Sequence, residues 1–397
     1  MFRRLTPGFV CRSVVALTTG SAVAFAAMET ATGNEDFYSN WLIPAVHYAL
    51  DPERAHGLMK KLLQLGLMPI SVAMQQEYPE LEITVFNRQF KNCFGLAAGF
   101  DKDAECASAL TRTGFGFVEV GTVTPKPQPG NELPRVYRLE ADRALINRCG
   151  FNSQGFVSVL ERMRSLPVDR NDCIIGVNIG KNKDSSNYVS DYCLGLEVFS
   201  SCADYVVVNV SSPNTHGLRD IQKKERLRTL LTALHDVRKR IPLSRRKPLL
   251  LKVSPDLTME EKRAIAELCL QPFSHVDGLI VSNTTIARPS GMLTDVDYEG
   301  GLSGPPLHQL SNQCIRDFYR LTSGRIPIIG CGGISSGEDA YEKLKAGASL
   351  LQLYTVITYE GMPVVGRLKR ELVSCLLSDG HQSISDVIGI DIEKEDA

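Results

Sequence analysis

YVVVNVSSPNT, residues 205–215, changes character at its middle. Tyr205 to Val208 form an unbroken apolar run, which suits a strand covered on both faces. From Asn209 onward the residues are small and polar, with Ser211, Ser212, Asn214 and Thr215 crowded around a proline. A buried strand that ends in hydrogen-bonding groups is the pattern of a parallel β/α unit, where ligands gather at the carboxyl ends of strands.

The pattern recurs along the chain. FGLAAGF (94–100), FVEVGTV (117–123), CIIGVNIG (173–180), PLLLKVS (248–254), GLIVSNT (278–284), IPIIGCGG (326–333) and LLQLYT (350–355) are nearly continuous in apolar character. Amphipathic segments such as QGFVSVLERMRSL, TMEEKRAIAELCL and GEDAYEKLKAG lie between them. Eight strands, each followed by a helix or a helix-bearing insertion, predict an α/β fold, a (β/α)8 TIM barrel, over residues 77–397. A doubly wound open sheet is the alternative. The count, and polar groups at nearly every strand end, favour the barrel.

Those ends carry Gly99 to Lys102, Thr122, Asn178, Asn209, Lys252, Ser282 to Thr284, Gly332-Gly333 and Tyr354-Thr355. Buried without partners, such groups would cost roughly 1–3 kcal/mol each, so a ligand rich in donors and acceptors is implied. Capping of turns is the competing reading for Ser, Asn and Thr. Lys252, inside PLLLKVS, cannot be a cap. IPIIGCGGISSGEDA reads as strand, glycine turn and then a helix opened by Ser336 and Asp339, a seat for a phosphate dianion. No histidine stands at a strand end, and His216 reads as a loop residue. There is no carboxylate pair, and Glu119 lies inside its strand. Acid–base work therefore falls to a lysine, cysteine or serine, with Cys149 and Ser212 available.

The composition is that of a soluble globular protein, 43% hydrophobic and 22% charged over 397 residues. A net charge of -1 leaves no global basic field of the kind that binds nucleic acid in bulk. The eleven cysteines show no C-x-x-C pair and no metal-ligand spacing, which implies reduced thiols and no metal. Residues 1–28 hold Arg3, Arg4 and Arg12 and no acid, as a mitochondrial presequence does. A secretory signal is the competing reading, and the lack of cysteine pairing argues against it. Within this region 9–28 is a candidate single-pass anchor, short against the roughly 20 apolar residues a span needs. Residues 29–36 read as a polar linker and 37–76 as a helical module. FYSNWLIPAVHYAL is expected to break at Pro44. The next helix has Asp51 as N-cap, Pro52 behind it and Gly66 near its end, with Ala55, Leu58, Met59, Leu62 and Leu63 on one face.

GLAAGFDK, EVGTVTPKPQPGN, INRCGFNSQG, VNIGKNK, NVSSPNT, LLKVSPDL, SNTT, GLSGPPL and IIGCGGISSGEDA, in that order, resemble dihydroorotate dehydrogenase. The helical module resembles that of the membrane-associated, quinone-reducing class 2. The cytosolic class has a cysteine in an SCPN motif. SSPN here puts Ser212 at that position, like the serine base of class 2. The resemblance implies oxidation of (S)-dihydroorotate to orotate in pyrimidine biosynthesis. Ser212 would take the C5 proton while the C6 hydride passes to N5 of FMN. Asn147, Asn209, Asn214, Asn283 and Thr284 would bind the pyrimidine and its carboxylate, with Lys102 supplying positive charge. Ala97, Ala98, Gly99, Thr122, Asn178, Asn209, Lys252, Ser282, Ser303, Gly304, Gly332, Gly333, Tyr354 and Thr355 would line the FMN site. The module would lie on the mitochondrial inner membrane and admit ubiquinone past His47, His56, Arg138 and Tyr354. His47 stands where relatives commonly have glutamine, and Cys149 where many have tyrosine. An FMN-dependent barrel acting on another pyrimidine is the alternative.

Overall fold

The structure is a computed structural model that describes residues 7–167, 173–274, 276–295 and 297–392. At its centre eight parallel strands close into a barrel. They are β1 (Phe94–Leu96), β2 (Phe117–Val123), β3 (Ile174–Ile179), β4 (Tyr205–Asn209), β5 (Leu249–Val253), β6 (Gly278–Val281), β7 (Ile328–Cys331) and β8 (Leu350–Leu353). Each pairs with the next in the chain, and β8 closes on β1 with Leu353 opposite Leu96. An open doubly wound sheet would leave two edges, and this sheet leaves none. The strands are buried along their whole length, which is why they read as unbroken apolar runs. Helices such as Lys224–Arg240 and Met259–Cys269 cover the outside. Thr258 and Glu261 cap the second of these reciprocally.

The amino end of the barrel is plugged. A hairpin, Ile83–Val85 with Arg88–Phe90, lies across it. Phe90 meets Phe117 edge to face at 5.5 Å, and Phe117 meets Tyr205 at 6.4 Å. These rings need glycines beside them. A Cβ on Gly95 would stand 2.3 Å from the Phe117 ring, and one on Gly176 would stand 2.0 Å from Tyr205. With this end filled, only the carboxyl end is open to a ligand. There a second, antiparallel sheet of Val136–Leu139, Ala144–Asn147 and Gly301–Ser303 rises beside the mouth. It has a small core of its own, Leu139, Ala144, Ile146 and Leu302.

The amino-terminal region departs from expectation at three places. Helix α1 (Pro7–Thr32) covers most of the anchor and address region, while Arg3 and Arg4 lie outside the described residues. Among the described residues no helix is long and apolar enough to cross a membrane, so the anchor expected over 9–28 is not supported. Thr18, Thr19, Gly20 and Ser21 dilute its apolar run. The stretch 29–36 is not a linker throughout. Thr30 and Thr32 continue α1, their hydroxyls donating to Ala26 O at 2.6 Å and Met28 O at 3.0 Å. The chain turns only at Gly33, where φ is +68°. Nor does Pro44 break its helix. A π turn over Tyr38–Leu42 precedes α2 (Ile43–Ala49), so Pro44 falls in a first turn, where its missing N–H costs nothing.

Helix α3 (Pro52–Gln64) forms as its caps require. Asp51 accepts from Glu53 N at 3.1 Å and Arg54 N at 3.0 Å. The module is held to the barrel by polar clamps. Arg138 Nη2 donates to His47 O at 3.0 Å and to Leu50 O at 2.6 Å. Arg135 pairs with Glu53 at 3.0 Å, Lys60 pairs with Glu105, and buried Lys369 donates to Met74 O at 2.9 Å.

Candidate functional site

The polar strand ends converge on one cavity at the open mouth of the barrel. Every residue expected to hold a flavin or a pyrimidine lines it, except Asn178. Asn178 sits one layer deeper and is fully buried. Its Oδ1 accepts from Thr122 Oγ1 at 2.6 Å and from Asn209 Nδ2 at 3.2 Å, and its Nδ2 donates to Glu119 at 2.8 Å. With these partners taken, Asn178 supports Thr122 and Asn209 from below. Glu119 is tied in turn by Tyr205 at 3.2 Å and Gln352 at 2.7 Å, so it is a structural knot inside the barrel.

The asparagines form a connected wall. Asn209 Nδ2 donates to Thr122 Oγ1 at 2.9 Å, and Asn209 Oδ1 accepts from Ser211 N and Ser211 Oγ, both at 3.2 Å. Asn283 Nδ2 reaches Ser211 Oγ at 3.0 Å, and Asn214 Nδ2 reaches Asn147 Oδ1 at 3.0 Å. Each bond fixes an amide that would otherwise rotate, so the wall is preorganised. Ser212 lies in this wall, 7% exposed, with Oγ accepting from Asn214 N at 3.3 Å. Its loop is pinned by Arg219, which donates to Ser211 O at 3.0 Å and Thr284 O at 2.9 Å and pairs with Asp256 at 2.7 Å. Lys102 Nζ is 2.5 Å from Asn152 Oδ1 at the cavity edge.

Two cavity groups lack protein partners. Lys252 is 5% exposed and makes no hydrogen bond or ion pair among the described residues. Gln352 Oε1 is buried and unpaired. Between β7 and the helix Gly337–Lys345 the chain turns through Gly332 at φ +119° and Gly333 at φ +75°. The N–H groups of Gly333 and Ile334 have no acceptor among the described residues. Consecutive free N–H groups in such a turn make an anion-binding concavity.

Toward the module, His56 meets Phe100 edge to face at 4.9 Å, and Phe100 meets Tyr354 at 6.4 Å. Burial, with Lys60 and Lys102 nearby, pushes the His56 imidazole down to about 4, so it is neutral at pH 7. Burial raises the Tyr354 phenol, which stays protonated. Arg138 keeps one buried nitrogen, Nη1, without a partner. His47 lines a separate, shallower pocket with Arg143 and Tyr359. Its Nε2 lies 3.0 Å from Thr358 O and its Nδ1 3.1 Å from Glu140. Burial, then Arg138, pushes its imidazole down. Neither histidine lines the main cavity: His56 reaches it through Phe100 and Tyr354, and His47 through Tyr359, which it meets edge to face at 5.4 Å and which, with Arg143, lines both pockets.

Residues 80–376 match the family model described as dihydroorotate dehydrogenase. The chain belongs to the dihydroorotate dehydrogenase family. The mouse mitochondrial dihydroorotate dehydrogenase (quinone) is 47% identical over 378 residues, covering 94% of this chain and 95% of its own. The Arabidopsis thaliana mitochondrial protein of the same name is 43% identical over 415 residues, 96% of this chain and 88% of its own. A crystal structure of dihydroorotate dehydrogenase from Eimeria tenella in complex with ferulenol superposes with a TM-score of 0.81 at 42% identity, covering 86% of this chain and 96% of that one. These relatives place the chain in the quinone-dependent class of the family, among the oxidoreductases.

Sequence reading overlooks some of the dihydroorotate dehydrogenase cavity. Gln352 carries a readable signal, an amide alone inside the apolar run LLQLYT. Arg143 carries none. It lines the cavity from a turn where its φ is 48°, with its guanidinium 5.6 Å from the Tyr359 ring. Only the antiparallel sheet brings it there.

Proposed function

We propose that this enzyme oxidises (S)-dihydroorotate to orotate in pyrimidine biosynthesis, using bound FMN and passing the electrons to ubiquinone. One observation carries the reading. Lys252 is a buried cation with no protein partner, facing the cavity that Ser212 and the asparagine wall also face. A buried ammonium needs an electron-rich partner, and an isoalloxazine edge is one. The other residues fit the same group. Gly333 and Ile334 offer free N–H groups to a phosphate, and Thr355 lines the cavity beside Ser303, its hydroxyl 2.9 Å away. When bound, FMN supplies a hydride acceptor.

The chain's own residues do the rest. Asn147, Asn209, Asn214, Asn283 and Thr284 would orient the substrate ring. Lys102 would face its carboxylate, which favours dihydroorotate over an uncharged pyrimidine. Ser212 would take the C5 proton. Its Oγ already accepts an N–H from Asn214, a bond that would stabilise negative charge on the oxygen as the hydroxyl passes its own proton to a water molecule and takes the one from C5. The loop around Ser212, pinned by Arg219, would keep bulk water from the reacting carbons.

The module over 37–76 would serve ubiquinone, with His56, Arg138 and Tyr354 along its path and His47 at the outer pocket. Trp41 is 72% exposed, Tyr48 96%, Leu65 70% and Val72 83%. Exposed apolar side chains on a module of this kind suit the interface of a bilayer, with residues 1–28 as the mitochondrial address and the inner membrane as the site of action. Replacing Lys252 by Met tests the carrying observation. Substrate-driven flavin bleaching in anaerobic stopped flow should slow by roughly 10²–10³-fold, the usual cost of a lost electrostatic contact at a reacting centre. An unchanged rate would remove Lys252 from the site.

A further inference from the structure

Behind the glycine turn lies a buried polar cluster, none of whose side chains lines the cavity. Its centre is Lys343, on the helix Gly337–Lys345, with a relative exposure of 0%. Two arms leave its ammonium. In the first, Nζ donates to Ser311 Oγ at 3.1 Å, and the Ser311 hydroxyl donates to Cys331 O at 2.8 Å. In the second, Nζ donates to Asn312 Oδ1 at 2.6 Å. That bond fixes the Asn312 amide, so its NH₂ faces His308 Nε2 at 3.0 Å, a nitrogen that the half-exposed Glu342 carboxylate also approaches at 2.9 Å. His308 Nδ1 lies 3.1 Å from Gly333 O. A carbonyl can only accept, so Nδ1 carries the hydrogen. Both arms therefore end on carbonyls of the turn, one on each side of Gly332.

The consequence follows from peptide geometry. In a trans peptide the C=O and the N–H point in opposite directions. Holding Gly333 O toward His308 turns the Ile334 N–H away from it, toward the cavity that Gly332, Gly333 and Ile334 line. Released from His308, the Gly333 carbonyl could rotate toward the cavity and oppose an anion, whereas Cys331 O keeps a second donor in Ser282 N at 2.8 Å. The contact is close: a Cβ on Gly333 would stand 2.5 Å from His308 Cα. Burial pushes the Lys343 ammonium down to about 7, so near neutral pH it passes between ammonium and amine, and either form has N–H groups to donate to Ser311 and Asn312.

We infer that Lys343, acting through Ser311 on one side and through Asn312 and His308 on the other, is the positioning residue of the phosphate seat. It holds the Gly333 carbonyl back and aims the Ile334 N–H at a phosphate dianion. The inference rests on the FMN reading above. It gives Lys343, which touches neither substrate nor cofactor, a part in selecting the phosphorylated flavin.

Flavin-free protein titrated with FMN and with riboflavin, followed by flavin fluorescence, tests it. Riboflavin shares the ring and lacks the phosphate. Lys343→Met and His308→Ala should each cut the preference for FMN over riboflavin by roughly 10-fold or more, the scale of a lost charge-assisted hydrogen bond. Riboflavin affinity itself should hold. His308→Asn should restore the preference, because its side-chain N–H can take the place of Nδ1–H. An unchanged preference in both loss variants would overturn the inference, as would a parallel fall for both ligands. If Lys343→Met does not fold, the His308 pair decides alone. A wild-type protein that binds neither flavin would overturn the FMN reading, and this inference with it.

Discussion

The mouth of the barrel and the helical module are opposites in how they use polarity. At the mouth, polar side chains are buried and bonded to one another. Asn209 is 4% exposed and Ser211 0%, and each has several partners. In the module, large apolar side chains face outward, and the clamps that hold it down are polar. Arg138 grips the carbonyls of His47 and Leu50, and Lys369 grips that of Met74. Each region therefore shows which neighbour it lacks. Polarity in excess inside calls for a polar ligand, and apolar surface in excess outside calls for an apolar one. Under the proposed function, one chain would present a site for a charged, soluble substrate and a surface for a lipid-soluble one.

The contrast can be broken from either side. The largest effect belongs to the mouth. Ser212→Ala should keep the flavin and slow its reduction by dihydroorotate by roughly 10²–10⁴-fold, the range for a lost acid–base group. Membrane binding should not change, and vesicle flotation alongside stopped flow would check both halves. The converse variant replaces Trp41, Tyr48 and Leu65 together by Ser. It should weaken vesicle binding by roughly 10–10²-fold, from apolar area withdrawn from the bilayer. Flavin reduction by substrate should stay as it is.

His56 sharpens the comparison, because it lies between the two regions. Its folded-state imidazole is pushed down to about 4 from an ordinary 6.5. The folded protein therefore binds fewer protons than the unfolded chain between those values. The stability tied to neutral His56 is complete above pH 6.5 and is lost as the pH falls toward 4. His56→Gln should flatten this acid limb in melting curves between pH 7 and about 4.5. An equally steep limb would mean that His56 is not the group responsible.

What could be read in advance follows the same division. The barrel strands were legible because burial on both faces demands unbroken apolar runs, and those runs match β1 to β8 closely. The antiparallel sheet was not legible. VYRL, ALIN and GLS are short, and the pairing of GLS with ALIN spans more than a hundred and fifty residues. The plug hairpin lacks the usual turn signal, since Phe86 and Asn87 take φ values of 56° and 55° where Asn-Gly is common. The strand-end residues singled out in the sequence line one cavity, and Asn178 lies beneath it. Depth along a strand decides whether a side chain meets the ligand or the layer beneath it, and sequence spacing does not report that depth. The anchor failed for a plainer reason, because threonine, serine and glycine at 18–21 leave too little continuous apolar length.

The most direct test of the whole account is anaerobic mixing of the purified enzyme with dihydroorotate, watched at the flavin absorbance, followed by addition of a short-chain ubiquinone. The account predicts a yellow protein that bleaches on substrate and regains its colour on quinone. A colourless protein, or a flavin that dihydroorotate leaves oxidised, would contradict it.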